Sequence, residues 1–380
     1  MIIQSTRVWL DDRFIPAQLE VRGEKIVRIG EYKEQPADFD YGRDRIIPGM
    51  IDVHTHGAYG FDTNDGDEAG LRNWAARLPV EEGVTAFQPS TITQSPEILN
   101  RALKNVADVV DSGYQGAEIL GIHFEGPYID RGKGGAQPVQ FILDADVEQF
   151  IGYQKTARGL IHYITLAPEH DRDLKLTRWC SEHGIVVSLG HTNGTYEDAL
   201  KARQAGARSM THVYNAMSGF SHRQPGMVGA ALRLRDMYGE LICDGIHSSP
   251  EALNIMFQAK NPGRIVMITD SLRANGLPPG EYLSGGRRIK LDADGCARLI
   301  PEGILAGSTL KMNRGLQVLI EKAEIPEALA INAATANPAR LLGVDGRKGS
   351  LTPGHDGDIV VLADDYAIVQ TFVRGQKYHI

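Results

Sequence analysis

Through the middle of the chain, short apolar runs alternate with longer stretches of helical periodicity. After Ile46–Asp52, the runs Ala86–Pro89, Glu118–His123, His162–Leu166, Ile185–Leu189, Ser209–His212, Glu240–Cys243 and Ile265–Thr269 read as strands. Between them, Ser95–Asp108, Asp144–Arg158, Asp171–His183 and Tyr196–Ala205 read as helices. Strands that are apolar throughout and alternate with helices predict a parallel sheet covered by helices, an α/β fold. Seven or eight such units in about 300 residues fit a (β/α)8 TIM-type barrel better than an open sheet.

The two ends carry a different pattern. Ile2-Ile3, Arg7–Leu10, Gln18–Val21 and Lys25–Ile29 are short strands separated by polar breaks. Asp358–Leu362, Ala367–Val373 and Gln376–His379 repeat that pattern at the other end. They predict a small β-sandwich domain formed by the N- and C-terminal segments, residues 1–48 and 346–380, around a catalytic barrel of residues 49–345. The GG and DADG turns between Tyr282 and Ala306 predict a β-hairpin inserted near 282–306.

Composition narrows the function classes. The 380 residues are 42% hydrophobic and 23% charged, ordinary for a globular protein. A net charge of -8, with no basic cluster or aromatic platform, argues against nucleic acid as a partner. No apolar run is long enough to span a bilayer, so no membrane is expected. The three cysteines, Cys180, Cys243 and Cys296, are widely spaced and contain no CxxC pair. Neither a disulfide framework nor a thiolate zinc site is indicated, and a reducing cytoplasm is the natural setting. The opening MIIQSTRVWLDDRF has no basic region followed by an apolar core, so no secretory signal is expected.

The chemistry sits where the apolar runs stop. Val53 leads into His54-Thr55-His56, and Ile122 into His123-Phe124-Glu125-Gly126-Pro127. His191, His212 and Asp270 follow three later runs. In a (β/α)8 barrel these strand ends converge on the active-site face. Imidazole and carboxylate are ligands for zinc, iron and similar ions. Residues i and i+2 of a strand point the same way, so His54 and His56 can grip one ion. Glu125 has two oxygens and can bridge two ions, with His191 and His212 completing a second site. Asp270 is the last carboxylate, placed to bind an ion or move a proton. Any one of these features alone is ordinary packing or a turn; five strand ends with the right residue types are not.

At these residues the chain resembles the amidohydrolase superfamily and, within it, the N-acetylglucosamine-6-phosphate deacetylases. The matching motifs are PGMIDVHTHG (48–57), GIHFEGPY (121–128), LAPE (166–169), SLGHT (188–192) and THVYNAM (211–217). RQPG (223–226), DGIH (244–247), ITDS (268–271) and LAGSTL (305–310) continue the series in order. The resemblance implies a hydrolase acting on a linear amide C–N bond, converting N-acetyl-D-glucosamine 6-phosphate to D-glucosamine 6-phosphate and acetate. Its implied setting is amino-sugar catabolism and cell-wall sugar recycling. It further implies one or two divalent ions per subunit, zinc or iron foremost, and a homodimer with a shared substrate site. By the same resemblance His54, His56, Glu125, His191, His212 and Asp270 are metal ligands and Asp270 is the catalytic acid/base. Asn215, Ala216, Arg223, His247 and Leu305 are implied substrate contacts, and which subunit supplies Arg223 and His247 stays open. His123 reads either as a partner orienting a ligand or as a packed barrel histidine.

One position departs from the pattern. Many relatives have histidine in the loop after EGP, where this chain has Gly135-Ala136-Gln137-Pro138. The resemblance implies that this histidine helps polarise the acetyl carbonyl; Gln137 can donate an amide hydrogen bond there but never as a cation, so either it does so weakly or a second metal takes the role. The glycine-rich loop Asp130–Gly135 reads as a lid. The rival substrate is the galactosamine epimer. A dihydroorotase-like enzyme would often carry a carboxylated lysine where Glu125 stands. A metal-free binding protein would usually have lost ligands that are all present here.

Overall fold

The computed structural model describes residues 1–378; His379, the end of the last expected strand, lies outside the described residues. The chain has an α/β fold. Its central parallel sheet runs, in spatial order, Glu118–Ile119, Val84–Thr91, Ile122–Glu125, Ile161–Leu166, Val186–Leu189 and Ser209–Met210, with Met50–Thr55 also paired to Val84–Thr91. A further parallel pair joins Gly239–Ile242 to Ile265–Ile268. Backbone hydrogen bonds reach from this pair to both ends of the larger sheet. Met210 N–H donates to Tyr238, Val213 N–H to Glu240, and Asp270 N–H to His54. Apart from half-buried Glu118 and exposed His162, the strand residues are buried, as in IVMI at Ile265–Ile268, because side chains on both faces are covered.

Helices cover the outside, and local chemistry sets their ends. Pro96–Ser112 starts with Ser95 accepting from Ile98 N–H and Pro96 in the first turn, then buries a stripe of Leu99, Ala102, Leu103, Val106 and Val109. The stretch read as one helix over 171–183 is a 3-10 turn followed by Lys175–Glu182. The Asp171 carboxylate accepts from Leu176 N–H and Thr177 N–H, and so opens the helix later than periodicity suggests. Gly83 ends the Glu68–Glu82 helix at φ +72°, where a Cβ would press on Met50, Val360 and Ile368. That close approach seats the terminal strands against the central sheet.

The two ends of the chain meet in one eight-stranded sheet. Its order is Gln376–Tyr378, Ile368–Val373, Ile359–Leu362, Arg45–Pro48, Ile2–Leu10, Arg13–Arg22 and Lys25–Glu31, with Phe39–Asp40 beside Ile2–Leu10. The two first expected strands are one, Ile2–Leu10, with a bulge between Ser5 and Val8. The segment expected as a hairpin is a three-stranded antiparallel sheet, Gly280–Ser284, Arg287–Leu291 and Ala297–Leu299. Ala297–Leu299 adds because the chain turns back at Asp292–Gly295 rather than leaving. Among the described residues, no helix is long and apolar enough to cross a membrane.

A buried ion cluster links the last strands to the central sheet. Lys348 Nζ, 1% exposed, meets Asp358 at 2.5 Å, Glu118 at 2.9 Å and Asp356 at 3.1 Å. Arg347 adds a second cation to Glu118 and Asp356. Replacing Lys348 with Met leaves Asp358 buried without a cation, while Glu118 and Asp356 keep Arg347, and is expected to cost about 3–5 kcal/mol in denaturant unfolding. Burial pushes Asp356 up, but Lys25 and Lys348 outweigh it and bring its pKa down to about 2. A carboxyl held below its unfolded value of about 3.9 stabilises the fold above that pH, and the contribution is lost as pH falls toward about 2. Acid unfolding of Asp356→Asn is therefore expected to lose part of its pH dependence in that window.

Candidate metal centre and cavity

Each strand-end residue arrives where its strand points. His54 lies in Met50–Thr55, His56 follows it, and Glu125 closes Ile122–Glu125. His191, His212 and Asp270 each stand two residues beyond the strands Val186–Leu189, Ser209–Met210 and Ile265–Ile268. All six side chains are brought together and buried. His191, His212 and Asp270 have φ of 46°, 31° and 48°, as does nearby Ala216 at 48°. Left-handed backbone at such residues is costly and gathers where function over-determines the geometry.

Glu125 is the hub. Its Oε1 lies 3.4 Å from His54 Nε2 and 3.3 Å from both His191 Nε2 and His212 Nε2. Its Oε2 lies 3.4 Å from His56 Nε2. The histidines also pair off, with Nε2–Nε2 separations of 3.2 Å for His54 and His56 and 3.1 Å for His191 and His212. Glu125 Oε1 is buried and receives no hydrogen bond. Bonds of 2.0–2.1 Å in a tetrahedral zinc site place ligand atoms about 3.3–3.4 Å apart. Two groups therefore have the donors and spacing to hold a divalent cation: His54, His56 and Glu125, and Glu125, His191 and His212. Asp270 Oδ1 stands 3.2 Å from His56 Nε2.

Electrostatics agrees with the donor set. Burial alone would raise both carboxyls, but His191 and His54 hold Glu125 well below the usual carboxylate range. Burial is likewise outweighed at Asp270, which His54 and His56 hold below its ordinary value. The imidazoles move oppositely. Burial lowers them, yet Glu125 and Asp270 leave His54 well above and His56 above the ordinary value. The cluster thus sets ionised carboxylates against basic imidazoles in a buried place, each holding the other's charge.

The cavity above the cluster has a volume of about 320 Å³. Gln137, Asn215, Ala216, His247 and Leu305 line it, as expected. Arg223 is exposed, on the loop before the Gly226–Arg233 helix, and is not among the residues lining the cavity. Gln137 is buried, with its amide nitrogen 2.6 Å from Glu125 Oε2 and its carbonyl accepting from Thr93 N–H. It steadies the hub carboxylate with one of its two amide N–H groups. His123 spends both ring nitrogens on Val53 O and Thr165 Oγ1 and packs its ring 4.3 Å from that of His54. It touches the cluster only by packing.

Several site residues are not evident from the strand-end pattern. Lys133 lines the cavity and accepts from His191 Nδ1 through its carbonyl at 2.8 Å. Asp244 pairs with His247 Nδ1 at 2.6 Å and accepts from His247 N–H, which fixes the ring. The inserted sheet supplies a wall through Ser284, Ile289 and Leu299. Lys133 sits in the loop read as a lid, so its charge was visible but its direction was not.

Residues 45–377 match the amidohydrolase family. The chain belongs to that family. This amidohydrolase is 43% identical over 333 residues to the N-acetylglucosamine-6-phosphate deacetylase of Bacillus subtilis, covering 87% of this chain and 83% of that one. It is 33% identical over 368 residues to the N-acetylgalactosamine-6-phosphate deacetylase of Escherichia coli O157:H7, covering 97% and 95%. Among solved structures it is similar to a mutant N-acetyl-D-glucosamine-6-phosphate deacetylase from Mycobacterium smegmatis in complex with N-acetyl-D-glucosamine 6-phosphate. That match has a TM-score of 0.94 at 29% identity and covers 100% of this chain and 99% of that one.

Proposed function

We propose that this amidohydrolase removes the acetyl group of N-acetyl-D-glucosamine 6-phosphate, yielding D-glucosamine 6-phosphate and acetate. The observation that carries the proposal is Glu125 set between two histidine pairs beneath a cavity of substrate size. The 43% identity to a deacetylase of this substrate supports the choice of sugar.

His54, His56, Glu125, His191 and His212 would hold one or two divalent ions, zinc or iron by donor chemistry. An ion there supplies acidified water and a polarised acetyl carbonyl. Asp270, ionised in the resting site, receives the attacking water's proton. It then returns that proton to the amide nitrogen, which cannot leave as an anion. Gln137 keeps Glu125 in place and offers its free N–H to the acetamide. Asn215, Ala216, Leu305, His247 and Lys133 surround the sugar phosphate. Arg223, exposed in one subunit, fits a phosphate contact delivered across a homodimer.

The same reading closes the central strands into a (β/α)8 barrel over residues 49–345, supported by the backbone bonds at both sheet ends. Residues 1–48 and 346–380 then form the small β-sandwich domain. Three free, buried cysteines suit a cytoplasmic setting.

The galactosamine epimer is the second reading, favoured by the longer match to the enzyme of that substrate. Acetate release from the two epimers and from unphosphorylated N-acetylglucosamine decides. The glucosamine 6-phosphate derivative is expected to win in kcat/KM, with the unphosphorylated sugar poorest. Preference for the galactose epimer would keep the reaction and change the substrate; equal turnover of the unphosphorylated sugar would remove the phosphate from recognition.

A further inference from the structure

Glu240 lies inside the Gly239–Ile242 strand, fully buried, in a run that is otherwise apolar. Its Oε2 is 2.9 Å from His54 Nδ1 and accepts from the backbone N–H of His212 at 3.3 Å. Its Oε1 accepts from the Tyr163 hydroxyl. Two donors and a histidine ring nitrogen therefore converge on a carboxylate that does not line the cavity above the cluster. We propose that Glu240 is a positioning residue that sets the tautomer of His54 and thereby the occupancy of the His54–His56 cation site. This rests on the two-site metal reading above.

The reasoning is geometric. Both carboxyl oxygens already accept, from His212 N–H and the Tyr163 hydroxyl, so the contact with His54 is one in which the ring donates, with its proton on Nδ1. Nε2 is then the nitrogen left to face the cluster, 3.2 Å from His56 Nε2. The other Nδ1 contacts in the cluster are backbone oxygens: Ser90 O for His56 and Lys133 O for His191. His212 Nδ1 has no partner. Among the described residues of the cluster, only His54 rests on a side-chain carboxylate, so only its orientation depends on a replaceable residue. A carboxylate behind a histidine ligand also makes that ligand more basic, and removing such a partner commonly weakens metal binding by about 10- to 100-fold.

The alternative is a carboxylate that merely fills the interior. The two roles separate by which ion is lost. Zinc content per chain is measured by elemental analysis across a free-zinc series on the full-length protein, beside apo-protein unfolding and a His54→Ala comparator. Two groups share Glu125, so the unaltered protein is expected to bind two ions. In Glu240→Gln the carbonyl oxygen takes the place where His54 and His212 donate, since the amide nitrogen cannot accept. The tautomer survives without the charge, and one ion is expected to bind about 10-fold more weakly. Glu240→Leu removes the acceptor, and that ion is expected to weaken by about 100-fold or more while the other is kept, as in His54→Ala.

Two ions at unaltered affinity in the folded Leu variant, or equal weakening of both, overturns the proposal. If the Leu variant does not fold, the Gln variant decides alone: selective weakening of one ion supports it and unchanged affinity overturns it. If His54→Ala binds as much zinc as the unaltered protein, the underlying two-site reading fails, and this inference with it.

Discussion

Replacing Asp270 with Asn is expected to lower kcat by about 10²–10⁴-fold while the fold and metal content persist. The substitution conserves shape and removes the ability to take a proton. Asp270 stands at the rim of the cluster, 3.2 Å from His56 Nε2 and 3.7 Å from His54 Nε2, and it lines the cavity. It belongs to neither of the two donor groups that share Glu125. The loss should therefore appear in kcat more than in KM. Near-normal turnover with metal bound would remove Asp270 from proton transfer.

Replacing Glu125 with Ala is expected to do more. The carboxylate belongs to both donor groups, so its loss empties both rather than one. The remaining histidines would be neutral ligands with no anion to offset a divalent charge in a buried place. Metal content should fall toward zero and acetate release to the uncatalysed background. Retention of full metal content in this variant would show that the shared carboxylate is not a ligand.

The strand-end logic made most of this site legible. His54, Glu125, His191, His212 and Asp270 sit at the ends of five different strands, and a parallel sheet gathers those ends whatever the intervening sequence. Glu240 was legible only as part of a strand. A carboxylate one residue into an apolar run looks like a polar break, and its partner His54 is 186 residues away in sequence. Gln137 was visible as a departure, but its hydrogen bond to Glu125 was not, because nothing in the loop sequence says which carboxylate the amide will meet. Arg223 was read from its motif, and the fold leaves it exposed and outside the cavity lining, because a motif does not say where its loop will lie.

The ends of the chain show a different limit. Alternating short strands predicted a β unit from both termini, and the strands do share one sheet. Period alone could not see that Ile2-Ile3 and Arg7–Leu10 are a single strand. The bulge between Ser5 and Val8 shifts the phase of burial halfway along and imitates a break. The inserted segment was similarly read one strand short, since Ala297–Leu299 is too brief to show a period.

The most direct measurement is acetate release from N-acetylglucosamine 6-phosphate by the purified protein, followed before chelation, after chelation and after zinc or iron is returned. Metal-dependent deacetylation predicts steady release, its loss on chelation, and its recovery with the ion. Release that persists undiminished with metal content at zero, or no release from fully loaded protein, would contradict it.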